Sequence, residues 1–98
     1  NGYVDATISS NAVNAQSRYI NLLTPSAVNL VAINFAGSAN PLPAGETINF
    51  YNASAYTVTL KHGTSAGYIR TKSGTDVTVL AGQSFSVVTD PSGNPFEV

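Results

Sequence analysis

Cysteine, methionine and tryptophan are all absent from this 98-residue chain, and only 9% of its residues are charged. Without cysteine, neither a disulfide framework nor a thiolate metal centre is available. With four basic side chains against five acidic ones, and a pI near 5.5, there is no field to draw in a polyanion. No nucleic-acid partner is expected. No apolar run approaches the roughly 18 residues of a membrane span, so no membrane partner is expected and the chain reads as soluble. An ordinary soluble domain carries about 25% charged residues; here Ser, Thr and Asn supply the polarity instead. Charge is depleted from the cores of interfaces, so this composition suits a protein held in an assembly. A secreted β-domain with a quiet surface is the rival reading.

What is present is strand patterning. At this length one core is expected. Residues 1–16 are rich in Asn, Ser and Ala, with only Val4, Ala6 and Ile8 in alternation; they read as an N-terminal linker or edge segment ahead of a single all-β domain over 17–98. Strands are expected over Tyr19–Leu23 and Val28–Phe35, the second with both faces apolar. Ala36–Gly45 is a loop by composition, because Pro41 and Pro43 cannot donate to a ladder. Period-2 alternation resumes over Thr47–Asn52, Tyr56–Lys61, Tyr68–Thr71, Asp76–Leu80 and Phe85–Thr89. In the last two, Val77, Val79, Phe85 and Val87 are expected to face the core. No window sustains a helical period. Short strands with Gly, Pro, Asn and Ser between them predict a short-stranded antiparallel β-sandwich or barrel.

An internal echo adds detail. Pro43-Ala44-Gly45-Glu46-Thr47-Ile48-Asn49-Phe50 aligns with Leu80-Ala81-Gly82-Gln83-Ser84-Phe85-Ser86-Val87. Each copy reads as a tight turn whose glycine takes a positive φ, followed by a hydroxyl residue opening a half-buried strand. Two copies suggest equivalent corners of one fold and are too few for a solenoid.

The run from Ala55 to Val88 carries a likeness to a known group. Its elements are Thr59-Leu60-Lys61-His62, a Thr64-Ser65-Ala66-Gly67 turn, Tyr68-Ile69-Arg70, a Gly74-Thr75-Asp76-Val77-Thr78-Val79-Leu80 strand, an Ala81-Gly82-Gln83-Ser84 turn and Phe85-Ser86-Val87. In that order they resemble the terminal β-domain of a bacteriophage virion appendage, over roughly residues 28–98. The likeness implies a place on the outer surface of a phage particle, as a tail-fibre or head-fibre tip or a capsid decoration protein. Pro95-Phe96-Glu97-Val98 resembles the natural end of such domains, so sequence missing from a chain that starts at Asn1 is expected upstream. The ending also departs from the group, in which an aromatic-Arg-Val step, often with Trp, is common. No Trp or Arg contact carries over.

Few residues have the makings of chemistry. Gly63-Thr64-Ser65-Ala66-Gly67 fits the G-x-S-x-G pattern of a hydrolase nucleophile elbow, but the only histidine, His62, precedes the serine and no helix is expected after Gly67. A Gly-rich hairpin connection is the better reading. His62 is read as a strand-end residue hydrogen-bonding the turn, with a place beside a threefold axis as the sharper alternative. Asp5, Glu46, Asp76, Asp90 and Glu97 are too scattered for a metal site. Lys61, Arg70 and Lys72 lie within one hairpin, either as a cationic edge for an anionic glycan or acidic neighbour, or as a guard against edge-to-edge pairing. Tyr51, Tyr56 and Tyr68 can stack on sugar rings or pack in the core, and core packing is favoured. Asn52-Ala53-Ser54 fits a glycosylation sequon, which has no meaning in a bacterial virus.

These observations converge on a non-enzymatic virion structural protein with no cofactor and no metal. Low charge, no disulfide and a modest core leave apolar surface seeking a partner, so a homotrimer is expected. Other capsid or tail proteins, and a host surface glycan, are the remaining partners, with Lys61, His62, Tyr68, Arg70 and Lys72 as the expected contact surface. The alternative function is a receptor- or carbohydrate-binding β-module.

Overall fold

Parallel pairing, the least expected feature of so short a chain, organises the molecule. The computed structural model describes residues 3–15, 17–34 and 45–98; the loop expected over Ala36–Gly45 lies outside them except for Gly45. The described residues form β-strands and no helix. β1 (Val4–Ala6), β3 (Tyr19–Leu22) and β6 (Thr47–Asn52) stack in parallel, and so do β2 (Ala12–Asn14) with β5 (Ala32–Asn34) and β4 (Val28–Leu30) with β7 (Val58–Leu60). The chain therefore winds as a three-sided coil, laying each turn on the one before. On two of its walls the step between the second and third turns is 30 residues, Tyr19 lying opposite Asn49 and Val28 opposite Val58.

The remaining strands run antiparallel and close the coil. β8 (Val77–Val79) pairs with β7, β9 (Ser84–Thr89) with β6, and β10 (Pro95–Glu97) with β9. The result is a five-stranded sheet ordered β1-β3-β6-β9-β10, a three-stranded sheet β4-β7-β8 and the two-stranded sheet β2-β5. The two-stranded sheet is extended by Tyr68, which bridges Ala32, and Arg70 bridges Phe96 to join this side to the five-stranded sheet. All-β is thus the architecture, but the expected antiparallel sandwich gives way to a parallel coil with an antiparallel closure. Alternation reports which face of a strand is buried and says nothing of the direction of its neighbour.

Side chains stack in rows along the inner walls. Ile20, Phe50 and Phe85 occupy one row across β3, β6 and β9, and the last two rings lie 4.8 Å apart and within 9° of parallel. Val28, Val58 and Val79 form a row on the second wall, and Val13 sits beside Ile33 on the third. Val79, Phe85 and Val87 are buried as the alternation predicts, with Val77 partly buried against the same core. The strand expected over Val28–Phe35, of which Phe35 lies outside the described residues, resolves at Val31 into two strands meeting at a corner. Leu30 points inward from one wall and Ile33 from the next, so the three-residue spacing of buried positions marks the bend.

Within residues 3–15 the chain is part of the fold, the edge alternative of the two expected for 1–16. β1 is an edge strand, but Ile8, Val13 and Ala15 belong to the core, and β2 is one side of the coil. The turn between β1 and β2 explains why the segment reads as weak. Ser9 and Ala12 exchange backbone hydrogen bonds, while Ser10 and Asn11 between them take φ of 53° and 62°. Two consecutive positive values are the mark of a type I′ turn, built here without glycine.

The sequence echo corresponds to a local two-fold relation. β6 and β9 are direct antiparallel neighbours, and the glycine ahead of each makes a matching bond: the Gly45 N–H donates to the Thr89 carbonyl, and the Gly82 N–H to the Asn52 carbonyl. Gly45 and Gly82 have φ of 84° and 82°.

Candidate functional site

The residues of greatest chemical interest lie around the loop that joins β7 to the Tyr68–Arg70 segment. A tight turn at its tip is closed by the Tyr68 N–H donating to the Ser65 carbonyl, with Gly67 at φ 82°. A side chain at Gly67 meets nothing within 4 Å, so its glycine is needed for backbone conformation alone. Gly63 is the opposite case: a Cβ there would fall 2.5 Å from Cδ2 of Tyr68, because the tyrosine ring lies flat against the bare backbone.

Arg70 fastens this loop. Its guanidinium donates to the carbonyl oxygens of Thr64 (2.7 Å), Tyr68 (2.9 Å) and Ser65 (3.2 Å), and its Cζ stands 5.7 Å from the centre of the Phe96 ring. The planar fork matches several carbonyls at once, which a lysine cannot do. From the other side the Asn94 side chain accepts the Gly67 N–H at 3.0 Å. Asn94 is itself set by Asp90, whose carboxylate accepts the Asn94 and Ser92 N–H groups at 2.8 and 2.9 Å. These bonds, led by the Asn94 N–H, hold the Asp90 carboxyl below the ordinary aspartate value.

Asp76 is the second fixed point. It accepts from Lys61 Nζ at 2.7 Å and from the His62 N–H at 3.0 Å, and the Lys61 hydrogen bond is the main cause of its lowered pKa. The His62 ring turns elsewhere. Its Nδ1 accepts the Thr71 N–H at 3.1 Å, which puts the ring proton of neutral His62 on Nε2. Thr71 donates its hydroxyl to the Thr75 carbonyl. His62 is therefore a strand-end residue tied to the following turn. The Ser65 hydroxyl is exposed and makes no hydrogen bond to His62 or to any other described residue.

Of the five expected contact residues, the structure brings all into one neighbourhood but leaves them unequally free. Lys61 is paired, the Arg70 guanidinium is occupied by backbone carbonyls, and His62 is half-buried. Tyr68 is exposed, and the Lys72 ammonium is exposed and without a partner among the described residues, although the Lys72 N–H donates to Glu97. The edge-guard reading does not fit Lys61 or Arg70: β7 lies between β4 and β8, and the Tyr68–Arg70 segment lies between Ala32, which Tyr68 bridges, and Phe96, which Arg70 bridges. The sequence placed these residues in a hairpin, whereas Lys61 follows a central strand.

Core packing fails for the tyrosines. Tyr51, Tyr56 and Tyr68 are all exposed, and so are Tyr3 and Tyr19, which the sequence did not single out. Buried polarity lies instead in Asn52, which is fully enclosed. Its amide donates to the Tyr56 and Val79 carbonyls at 2.7 and 3.2 Å and accepts from the Ser54 N–H and hydroxyl at 3.2 and 2.6 Å. Every hydrogen-bonding position of that amide is used, so the sequon asparagine is a strut inside the corner. Among the described residues there is no cluster of three metal-ligating side chains. Compared with known proteins, the chain matches no family model, no curated protein and no solved structure.

Proposed function

We propose that this chain is a non-enzymatic structural domain on the outer surface of a phage particle, assembled as a homotrimer and working through contacts with capsid or tail proteins. The observation that supports the reading is the character of the surface. Among the described residues, ten large apolar or aromatic side chains remain between 38% and 62% exposed, on a chain of which only 9% is charged. Surfaces of that kind mark sites of association. The cations of the fastened loop do structural work: Lys61 holds Asp76 and Arg70 holds backbone carbonyls. The rigid loop they create is the part offered to a neighbour.

Two measurements test this. Light scattering of the purified domain is expected to give three times its 10.1 kDa mass, and a monomer at micromolar concentration overturns the trimer. Antibody raised against the domain is expected to decorate the head or tail of intact particles carrying its gene. Particles that lack the chain overturn the virion reading. The second reading, a receptor- or carbohydrate-binding β-module, is favoured by the exposure of all five tyrosines.

A further inference from the structure

The outer face of the five-stranded sheet has a composition unlike the rest of the surface. With Ile20, Leu22, Phe50 and Asn52 pointing inward, Tyr19 and Asn21 of β3 and Asn49 and Tyr51 of β6 point outward. Register places Tyr19 opposite Asn49 and Asn21 opposite Tyr51, so the two tyrosines sit on a diagonal that aromatic side chains span. Tyr3 extends the row, its ring 5.4 Å from that of Tyr19. Between the rings runs a polar strip: Asn21 donates to Asp5 at 3.3 Å, and Asn49 accepts from Ser86 at 2.7 Å. The hydroxyls of Tyr3, Tyr19 and Tyr51 make no hydrogen bond to any described residue.

We propose that this face binds a neutral glycan, with Tyr19 and Tyr51 as stacking platforms and their hydroxyls, Asn21 and Asn49 as hydrogen-bonding groups to sugar hydroxyls. A sugar presents apolar C–H faces and a rim of hydroxyls. Rigid rings that expose both a π-face and a hydroxyl match both at low entropic cost. Charge selects against the other ligand classes. Arg18, next to Tyr19 in sequence, is paired with Glu46 at 3.0 Å, Arg70 beside Phe96 is occupied by backbone carbonyls, and Asp5 adds a carboxylate, so an anionic polysaccharide finds no free cation to pair with here. The site stands on these residues alone and does not depend on a place in a virion.

The test is an NMR titration of the full chain with laminarin, dextran and galactomannan as neutral probes and polygalacturonate as the anionic one. At least one neutral probe is expected to shift the amides of residues 19–21 and 49–51. Tyr19→Ala and Tyr51→Ala are each expected to weaken that binding about tenfold, as loss of a single anchoring aromatic does. Tyr51→Phe, which keeps the ring and loses only the hydroxyl, is expected to weaken it less, and Tyr68→Ala, on another side of the coil, is expected to leave it unchanged. The proposal is overturned if no neutral probe binds, if polygalacturonate binds as well as they do, or if the two alanine variants, with native-like spectra, bind as wild type. It is also overturned if the same amides shift with protein concentration alone, because a second copy then occupies the face.

Discussion

Residues 3–60 and residues 61–98 build strands of similar length by opposite means. In the first region every pairing among its own strands is parallel, and Gly45 is the one glycine described there with positive φ; Ser10 and Asn11 make the other left-handed turn. In the second, the strands pair antiparallel, and Gly67, Gly74, Gly82 and Gly93 all have φ between 76° and 84°. A parallel partner must be reached by a long return path, whereas an antiparallel one can follow a tight turn. The first region is therefore held by stacked side chains on strands distant in sequence, and the second by turns that glycine makes possible.

If the two regions form one cooperative unit, the stack joining them carries the largest effect. Phe50 belongs to the coil and Phe85 to its closure. Phe50→Ala and Phe85→Ala are each expected to cost about 3 to 5 kcal/mol in chemical denaturation, with Phe50, which is fully buried, toward the upper end. Both variants should unfold in one transition, and the double variant should lose measurably less than the sum of the two, because the rings are direct partners. Two separate transitions would instead mean that the coil stands without its closure.

The second effect is confined to the glycine-built region. Gly67→Val is expected to cost about 1 to 3 kcal/mol, since a β-branched residue is strained at φ 82° although the space is open. Thermal unfolding measures the loss, and an unchanged midpoint would remove the need for positive φ there.

Acid should also act on this region. Asp76 and Asp90 have folded-state pKa values lowered by the hydrogen bonds they accept. A depressed carboxyl pKa stabilises the fold above the unfolded value, near pH 4, and that stability is lost as pH falls through the folded value. Thermal stability is expected to drop below pH 4, and Asp76→Asn and Asp90→Asn should flatten the drop. Asp76 is exposed and Asp90 only half-buried, so solvent screens both and the effect is smaller than that of Gly67→Val. A pH dependence unchanged in both variants would assign acid sensitivity to other groups.

The smallest effect is expected in the coil. Asn11→Gly relieves a left-handed residue in the type I′ turn and should stabilise by about 0.5 kcal/mol. Destabilisation would show that the Asn11 side chain matters more than its backbone conformation.

The same contrast governs how much could be read from the residues. Strands β6 to β9 and the glycine turns between them were legible, because alternation in 47–52 and 85–89 reports a buried face and Gly82 reports a turn. The coil was not. Val4 and Ile20, or Val28 and Val58, are partners in space but share no local signal. The corner at Val31 read as one strand with two apolar faces, and the Ser10-Asn11 turn read as low complexity. At the candidate site, residue types were legible and their employment was not. Arg70 read as a free cation, yet its partners are three backbone carbonyls that no side-chain pattern announces. The tyrosines read as core because period-2 alternation has two phases, and the inner one belongs to Ile20 and Phe50.

The constant step between the second and third turns has a consequence for dimensions. Where Tyr19 meets Asn49 and Val28 meets Val58 at the same interval of 30 residues, two walls of the coil advance in step. A further 30 residues repeating that step ahead of β6 would lift the closure on those two walls by one strand spacing, about 4.8 Å. The height of those walls grows by whole strand spacings and by no smaller increment.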